Sequence, residues 1–158
     1  MSFYERAFEV RASINVVAAF HDDPASLTAI TPPPVRVTLD RFDAPVHAGS
    51  HIDFVLHVGP IAIRWNAKIT QYDRNKSFRD VQERGPFGAW QHTHTFVQTL
   101  NGTLVVDRVE YEPPFGWFGK LIDPFIVRPS LVYLFHYRAQ QTRSILESVG
   151  NQSALSSL

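Results

Sequence analysis

The stretch FRDVQERGPFGAWQHTHTF, residues 78–96, decides how the chain is read. Every second residue gives one face of a β-hairpin: Phe78, Asp80 and Gln82, then Trp90, His92, His94 and Phe96. Aromatic residues at both ends mark this face as the buried one, because alternation is the signature of a half-covered strand. Its middle nevertheless carries a carboxylate, an amide and two imidazoles. Burying such groups is costly unless each finds a partner, and a core needs none of them.

The strand pattern extends on both sides of this hairpin. FYERAFEVR alternates over roughly residues 3–11, with Tyr4, Phe8 and Val10 on one side. VRVTLDRF aligns Val35, Val37 and Leu39, and HIDFVLHVG aligns Ile52, Phe54, Leu56 and Val58. After Gly59-Pro60, IAIRWNAKITQY aligns Ile63, Trp65, Ala67 and Ile69, and TLVVDRVEY aligns Val105, Asp107, Val109 and Tyr111. Seven strands with short connections favour an antiparallel meander. Between the first two strands, Ser13 opens one short helix, and Asp23 followed by Pro24 opens a second that ends at TPPP.

After Tyr111 the period changes. EPPFGWFGKLIDPFIVRP reads as a Pro/Gly/aromatic loop with a helical turn. SLVYLFHYRAQQTRSILESV then repeats apolar residues at helical spacing, with Ser130 as cap and Gly150 as stop. Roughly 20 residues make about 30 Å of helix, enough to cover one face of the sheet. The expected fold class is therefore α+β: a seven-stranded antiparallel sheet, two short helices after the first strand and a long C-terminal helix. Residues 1–149 form the expected single domain, and GNQSALSSL, residues 150–158, reads as a disordered tail.

Composition narrows the function. Fifteen basic and fifteen acidic side chains cancel, so no net field points to nucleic acid or an anionic membrane. The chain has no cysteine, which removes disulfides, thiol catalysis and thiolate metal sites. With no signal-peptide h-region and no apolar run of spanning length, a cytoplasmic location without membrane insertion is expected. Nothing in the composition indicates an oligomer.

Turn chemistry places the polar groups. If Asn101-Gly102 is a two-residue loop, paired residue numbers across the last hairpin sum to 203, which sets His92 against Tyr111 and His94 against Val109. A loop of three or five residues around Pro86 gives a sum near 172, which sets Asp80 against His92, Gln82 against Trp90 and Phe78 against His94. Asp80, His92 and Tyr111 then form one row across three strands, with neighbouring Cβ atoms about 4.5–5.5 Å apart. Three uses compete for it: a satisfied structural network, the polar end of a ligand cavity, or acid–base catalysis in which Asp80 orients His92 and Tyr111 donates a proton. His-x-His supplies two metal ligands, but no third is fixed, so no metal or cofactor is expected.

The pieces LTAITPP, FRDVQERGPFGAWQHTHTF, GTLVVDRVEYEPPFGWFGK and LFHYR, between Leu27 and Arg138, together resemble the START-like ligand-binding superfamily (SRPBCC). That superfamily includes polyketide cyclase/dehydrase-like proteins, and the resemblance is to a stand-alone bacterial group. Related domains also occur fused to an epimerase-like oxidoreductase domain. The resemblance implies a helix-grip fold, a curved sheet holding the long helix around a hydrophobic cavity, and it transfers no catalytic residues.

The expected function is binding of a small hydrophobic or amphipathic molecule between sheet and helix. Its expected lining is Phe54, Trp65, Phe78, Asp80, Gln82, Trp90, His92, His94, Asp107, Tyr111 and Phe135. Phe115, Gly116, Trp117, Phe118 and Gly119 form either a hinged lid over the mouth or a plug. The alternatives are a cyclase, dehydratase or isomerase using Asp80, His92 and Tyr111, and a module that binds a partner protein. Arg6 is a possible partner for Asp107, and Arg138 for the strand carboxylates.

Overall fold

The structure, a computed structural model, describes the backbone of residues 1–155 and the side chains of residues 1–148. Seven strands follow one another as β1 (Ser2–Val10), β2 (Arg36–Phe42), β3 (His51–Val58), β4 (Ile61–Asp73), β5 (Ser77–Arg84), β6 (Ala89–Gln98) and β7 (Thr103–Glu112). All pairings are antiparallel, in the order β1-β7-β6-β5-β4-β3-β2. The meander therefore runs from β2 to β7, and β1 closes onto β7 from the far side. The α+β layout expected from the strand count and the C-terminal periodicity is present, in the element order that the resemblance implies for a helix-grip fold.

Helices α1 (Ile14–Asp22) and α2 (Ser26–Ala29) lie between β1 and β2. Asp23 does not cap the second, whose N-cap position is Ala25; its Oδ1 instead accepts from the Ala25 N–H at 2.9 Å in the turn that leads into the helix. Ser13 makes no such bond, in keeping with Val16 standing where a capping box needs an acid or amide. The segment after β7 is more helical than its prolines and glycines suggest: α3 (Gly116–Ile122) passes through a π-helical turn (Asp123–Val127) directly into α4 (Arg128–Leu155). Ser130 is consequently inside the helix, where its Oγ donates to the Ile126 carbonyl. Gly150 does not end α4. Residues 156–158 of the expected tail lie outside the described residues.

Two apolar clusters fill the space under α4. One holds Phe8, Val10, Ile69, Phe78, Phe96 and Val105 with Val17 and Ala18 of α1 and Ala139 and Leu146 of α4. The other holds Tyr4, Trp65, Ala67, Trp90, Val109 and Tyr111 with Leu131 and Phe135 of α4. At the far end of the sheet the edge strand β2 is mostly exposed and slips register between Leu39 and Arg41, where a bulge interrupts the ladder. No helix among the described residues is long and apolar enough to cross a membrane.

Candidate binding site

Strand periodicity explains why a polar belt separates the two clusters. On the inward face β5 runs Phe78 then Asp80, β6 runs Trp90, His92, His94, Phe96, and β7 runs Val105, Asp107, Val109, Tyr111. Each strand thus enters the belt from an apolar residue, and the hairpin registers bring the polar positions side by side. Asp80 pairs with His92 and Phe78 with His94 across β5–β6, the sum of 172 expected from the Pro86 loop.

The β6–β7 register corrects the sequence reading. Gln98 pairs with Thr103, so the sum is 201, and His92 faces Val109 while His94 faces Asp107 and Trp90 faces Tyr111. A two-residue turn of the expected type needs left-handed backbone at Asn101, and Asn101 does not have it. Instead Gly102 is pressed against β1, where an added Cβ would sit 2.1 Å from the Val10 carbonyl oxygen. The loop widens to Thr99–Gly102, closed by the Thr99 N–H to Gly102 carbonyl bond at 2.9 Å. Two residues of slip preserve the face of every side chain but exchange its partners.

The Asp80–His92–Tyr111 row therefore does not exist. Tyr111 donates its hydroxyl to Asp123 Oδ1 at 2.9 Å, and Ser2 donates to the other oxygen of the same carboxylate at 3.2 Å. Burial, then Asp123, pushes the phenol up to about 12. This triad ties β7 and β1 to the π turn, which makes Tyr111 a structural residue. Tyr111→Phe is expected to lower stability by about 1 kcal/mol, the usual worth of one such bond, in chemical denaturation of wild type and variant. An unchanged midpoint would place the tie elsewhere.

Asp107 takes the place assigned to Tyr111. Its Oδ1 lies 3.2 Å from His92 Nε2 and 2.7 Å from His94 Nδ1. The first contact is a hydrogen bond in which the imidazole N–H donates, and the second is close but off the bonding direction. On the other side, His92 Nδ1 is 3.5 Å from Asp80 Oδ2, beyond a strong bond. His92 and Asp107 are only 5% exposed at the side chain, while Asp80 at 17% and His94 at 14% keep some contact with solvent. Burial would raise Asp107, but His94 and His92 more than offset it and hold the carboxyl well below the usual range. Burial pushes both imidazoles down, so neutral rings serve an ionised Asp107. Asp80 is pushed up to about 6, chiefly by burial and against the pull of His94 and Arg138.

Arg138, expected beside the strand carboxylates, joins the belt, and so do His21 and Phe87, which the sequence did not place there. Arg138 descends from α4 with its guanidinium over the Phe135 ring at 5.2 Å, and its Nε is buried with no hydrogen-bond partner among the described residues. His21, at the end of α1, lies 5.4 Å from His94 between ring centres and binds the Val17 carbonyl through Nδ1. Burial, then His94, pushes it down to about 4. Phe87 packs on Trp90 at 4.8 Å and accepts Gln82 Nε2–H on its carbonyl at 2.9 Å. Helical spacing after Asn15 contained the signal for His21, since α1 turns Val17 and Ala18 into the core. Arg6 faces Asp107 in the β1–β7 register but donates to His136 Nδ1 at 3.0 Å instead.

The expected aromatic lining divides between the clusters. Trp65 stacks on Phe54 at 5.6 Å and meets Trp90 edge-on at 5.3 Å, whereas Phe78 belongs to the other cluster and lies 4.4 Å from His94. Phe135 reaches the belt from α4, 5.1 Å from His92. Phe54, Leu56 and Phe87 stay partly open beside Trp65. Two clefts open elsewhere: one of about 950 Å³ between α1, the β2–β3 loop and the end of β4, lined by Asn15, Asp22, His47, Tyr72 and Arg74, and a groove of about 570 Å³ along Pro124, Arg128 and Tyr133.

The residues expected to act as a lid form α3. Phe115 and Trp117 are fully turned outward, with Trp117 79% exposed, so they plug nothing. Gly116 has the left-handed φ of +58° that glycine favours, at the entry to α3. Gly119 is no hinge: an added Cβ would sit 1.6 Å from the Pro114 carbonyl oxygen. Its role is close packing of α3 on the preceding turn.

No family model matches the chain, and no curated protein sequence does. Solved structures do match. A protein from Chromobacterium violaceum superposes with a TM-score of 0.75 at 15% identity, over 93% of this chain and 99% of its own. One from Rhodobacter sphaeroides gives 0.74 at 14% identity, over 93% of each chain. The likeness is one of fold. A nucleoside-diphosphate sugar epimerase from Corynebacterium glutamicum gives 0.72 at 20% identity, over 96% of this chain but only 30% of that one. The fold here therefore also occurs as part of a longer chain.

Proposed function

We propose that the chain is a START-like (SRPBCC) protein that binds a small amphipathic molecule at the polar belt. The ligand's polar group meets Asp80, His94 and Arg138, and its apolar body lies on the partly open surface of Phe54, Leu56, Trp65 and Phe87. One observation carries this reading: the belt is buried yet incompletely satisfied. Arg138 Nε has no partner among the described residues and Asp80 is 3.5 Å from its nearest imidazole nitrogen, an arrangement that costs stability unless something else completes it. The fold likeness and the sequence resemblance support the superfamily.

Native mass spectrometry before and after solvent extraction tests the proposal. A one-to-one adduct is expected, retained in Tyr111→Phe and lost in Arg138→Met. Purified protein that carries no adduct and takes up none from a mixed set of fatty acids, isoprenoids and aromatic acids would sink it.

A partner-binding reading has one observation in its favour. Phe115, Trp117, Leu121, Phe125, Ile126 and Tyr133 are all more than half exposed along α3, the π turn and the start of α4. A protein complex abolished by Trp117→Ser with Phe125→Ser, and unaffected by Arg138→Met, would select it. The acid–base alternative has lost its Tyr111 member to the tie with Asp123.

A further inference from the structure

We infer that Asp80, His92 and His94 form a binding site for a divalent transition metal of the zinc class, with Asp107 holding the His92 ring from behind. The inference concerns the same belt as the ligand reading but does not depend on it. One carboxylate oxygen of Asp80 and one ring nitrogen of each histidine lie within 4.8 Å of one another. That spacing lets a single ion about 2.0–2.2 Å from each donor contact all three after small side-chain movements.

The donor chemistry selects the metal. Two imidazoles and one carboxylate suit zinc, cobalt or iron(II), whereas magnesium and calcium prefer all-oxygen sets. Three protein ligands also leave a coordination position for water or substrate, the arrangement of an open rather than a purely structural site. The exposure of Asp80 and His94 provides that position with a route to solvent.

Asp107 supplies what a chance cluster lacks. Metal-bound histidines commonly give their second ring N–H to a carboxylate, which fixes the tautomer and aims the other nitrogen at the ion. Here His92 turns Nε2 to Asp107, leaving Nδ1 toward Asp80, and His94 turns Nδ1 to the same carboxylate oxygen. Asp107 thus orients the His92 ring by a hydrogen bond and stands as a counter-charge 2.7 Å from His94. His21 stands beside His94 with Nδ1 occupied by the Val17 carbonyl, so its second nitrogen is unengaged by that bond.

Charge accounting is compatible with a divalent ion. The nearby groups are Asp80 and Asp107 on the sheet, His92 and His94 between them, His21 from α1 and Arg138 from α4. Two carboxylates against one guanidinium leave one negative charge for the ion to meet. Arg138 weakens the site relative to one without it, and it also stands ready to hold an anionic group placed on the metal.

Protein stripped with a chelator and titrated with Co²⁺ and Zn²⁺ tests the site. One equivalent per chain is expected, with visible Co²⁺ bands of a four- or five-coordinate centre that Zn²⁺ removes. Asp80→Asn and His94→Gln should each weaken binding by about 10-fold or more, while His51→Gln, which alters a surface histidine beside Glu83, should not change it. Both belt variants are to be checked by circular dichroism, and Asp80→Asn keeps the test valid if His94→Gln fails to fold. Absence of stoichiometric binding, or binding unchanged in Asp80→Asn, overturns the site. Either result leaves the small-molecule reading to its own mass-spectrometric test.

Discussion

Asp80→Asn is expected to stabilise the metal-free protein, and to do so more strongly as the pH rises. Burial lifts this carboxyl from 3.8 to about 6. Below about pH 4 the group is protonated in both folded and unfolded chains and contributes nothing. Between about 4 and 6 the folded chain keeps a proton that the unfolded chain has released, so stability falls as pH rises. Above 6 the full penalty for a buried carboxylate applies, and two pKa units correspond to about 3 kcal/mol at most. Asparagine keeps the shape and carries no charge. Urea denaturation of wild type and variant at pH 4.5 and 8, with chelator present, should show an advantage for the variant of about 1–3 kcal/mol that is larger at pH 8. Equal or lower stability of the variant at pH 8 would mean that Arg138 holds Asp80 as a paired carboxylate. A gain on removing a side chain is the behaviour of a residue kept for function.

Asp107→Ala should act in the opposite direction. Its carboxylate is the acceptor for His92, the close contact of His94 and a counter-charge for Arg138. Removing one member of a buried charged network leaves the others unpaired, which costs about 3–5 kcal/mol. The loss should be present at pH 8 and shrink toward acid pH, because the folded-state pKa of Asp107 lies below its unfolded value and its contribution disappears as pH falls through it. Denaturation curves at pH 8 and at about pH 2, below the unfolded carboxyl's range, check both magnitude and sign. A loss under about 1 kcal/mol at pH 8 would show that water replaces the carboxylate without cost.

The contrast between these two aspartates was only half legible in the sequence. Alternation put Asp80, His92, His94 and Asp107 on the inward face, and that survived because a slip of two residues preserves parity. What alternation could not supply was the loop length at Asn101-Gly102, which is set by Gly102 meeting Val10 from a strand ninety residues earlier. The partner of His92 depended on that contact. The cleanest amphipathic strand, Ile61–Asp73, was read nearly to its ends, since burial of Trp65, Ala67 and Ile69 imposes the period directly. The segment Gly116–Val127 was not read as continuous helix, because its Gly and Pro content argues locally against one. Ties made at a distance, between Tyr111 and Asp123, and the close seating of Gly119 on Pro114 hold it. Arg138 showed the same limit: helical spacing gave its face but not how deep it reaches.

The interrupted ladder of β2 has a consequence for how the molecule behaves among its own copies. A sheet with an open edge offers a row of free amide and carbonyl groups on which a second chain can lay a strand. Here that row is broken after Leu39, and Arg36, Asp40 and Arg41 stand exposed along it, with Arg41 held by Asp53 at 3.2 Å. Pro34 and Pro45 stand on either side of the strand and donate no amide hydrogen. An incoming strand would find its hydrogen bonds out of step and its charges set. Edge-on growth into a continuous sheet, the route toward fibres, is closed at β2.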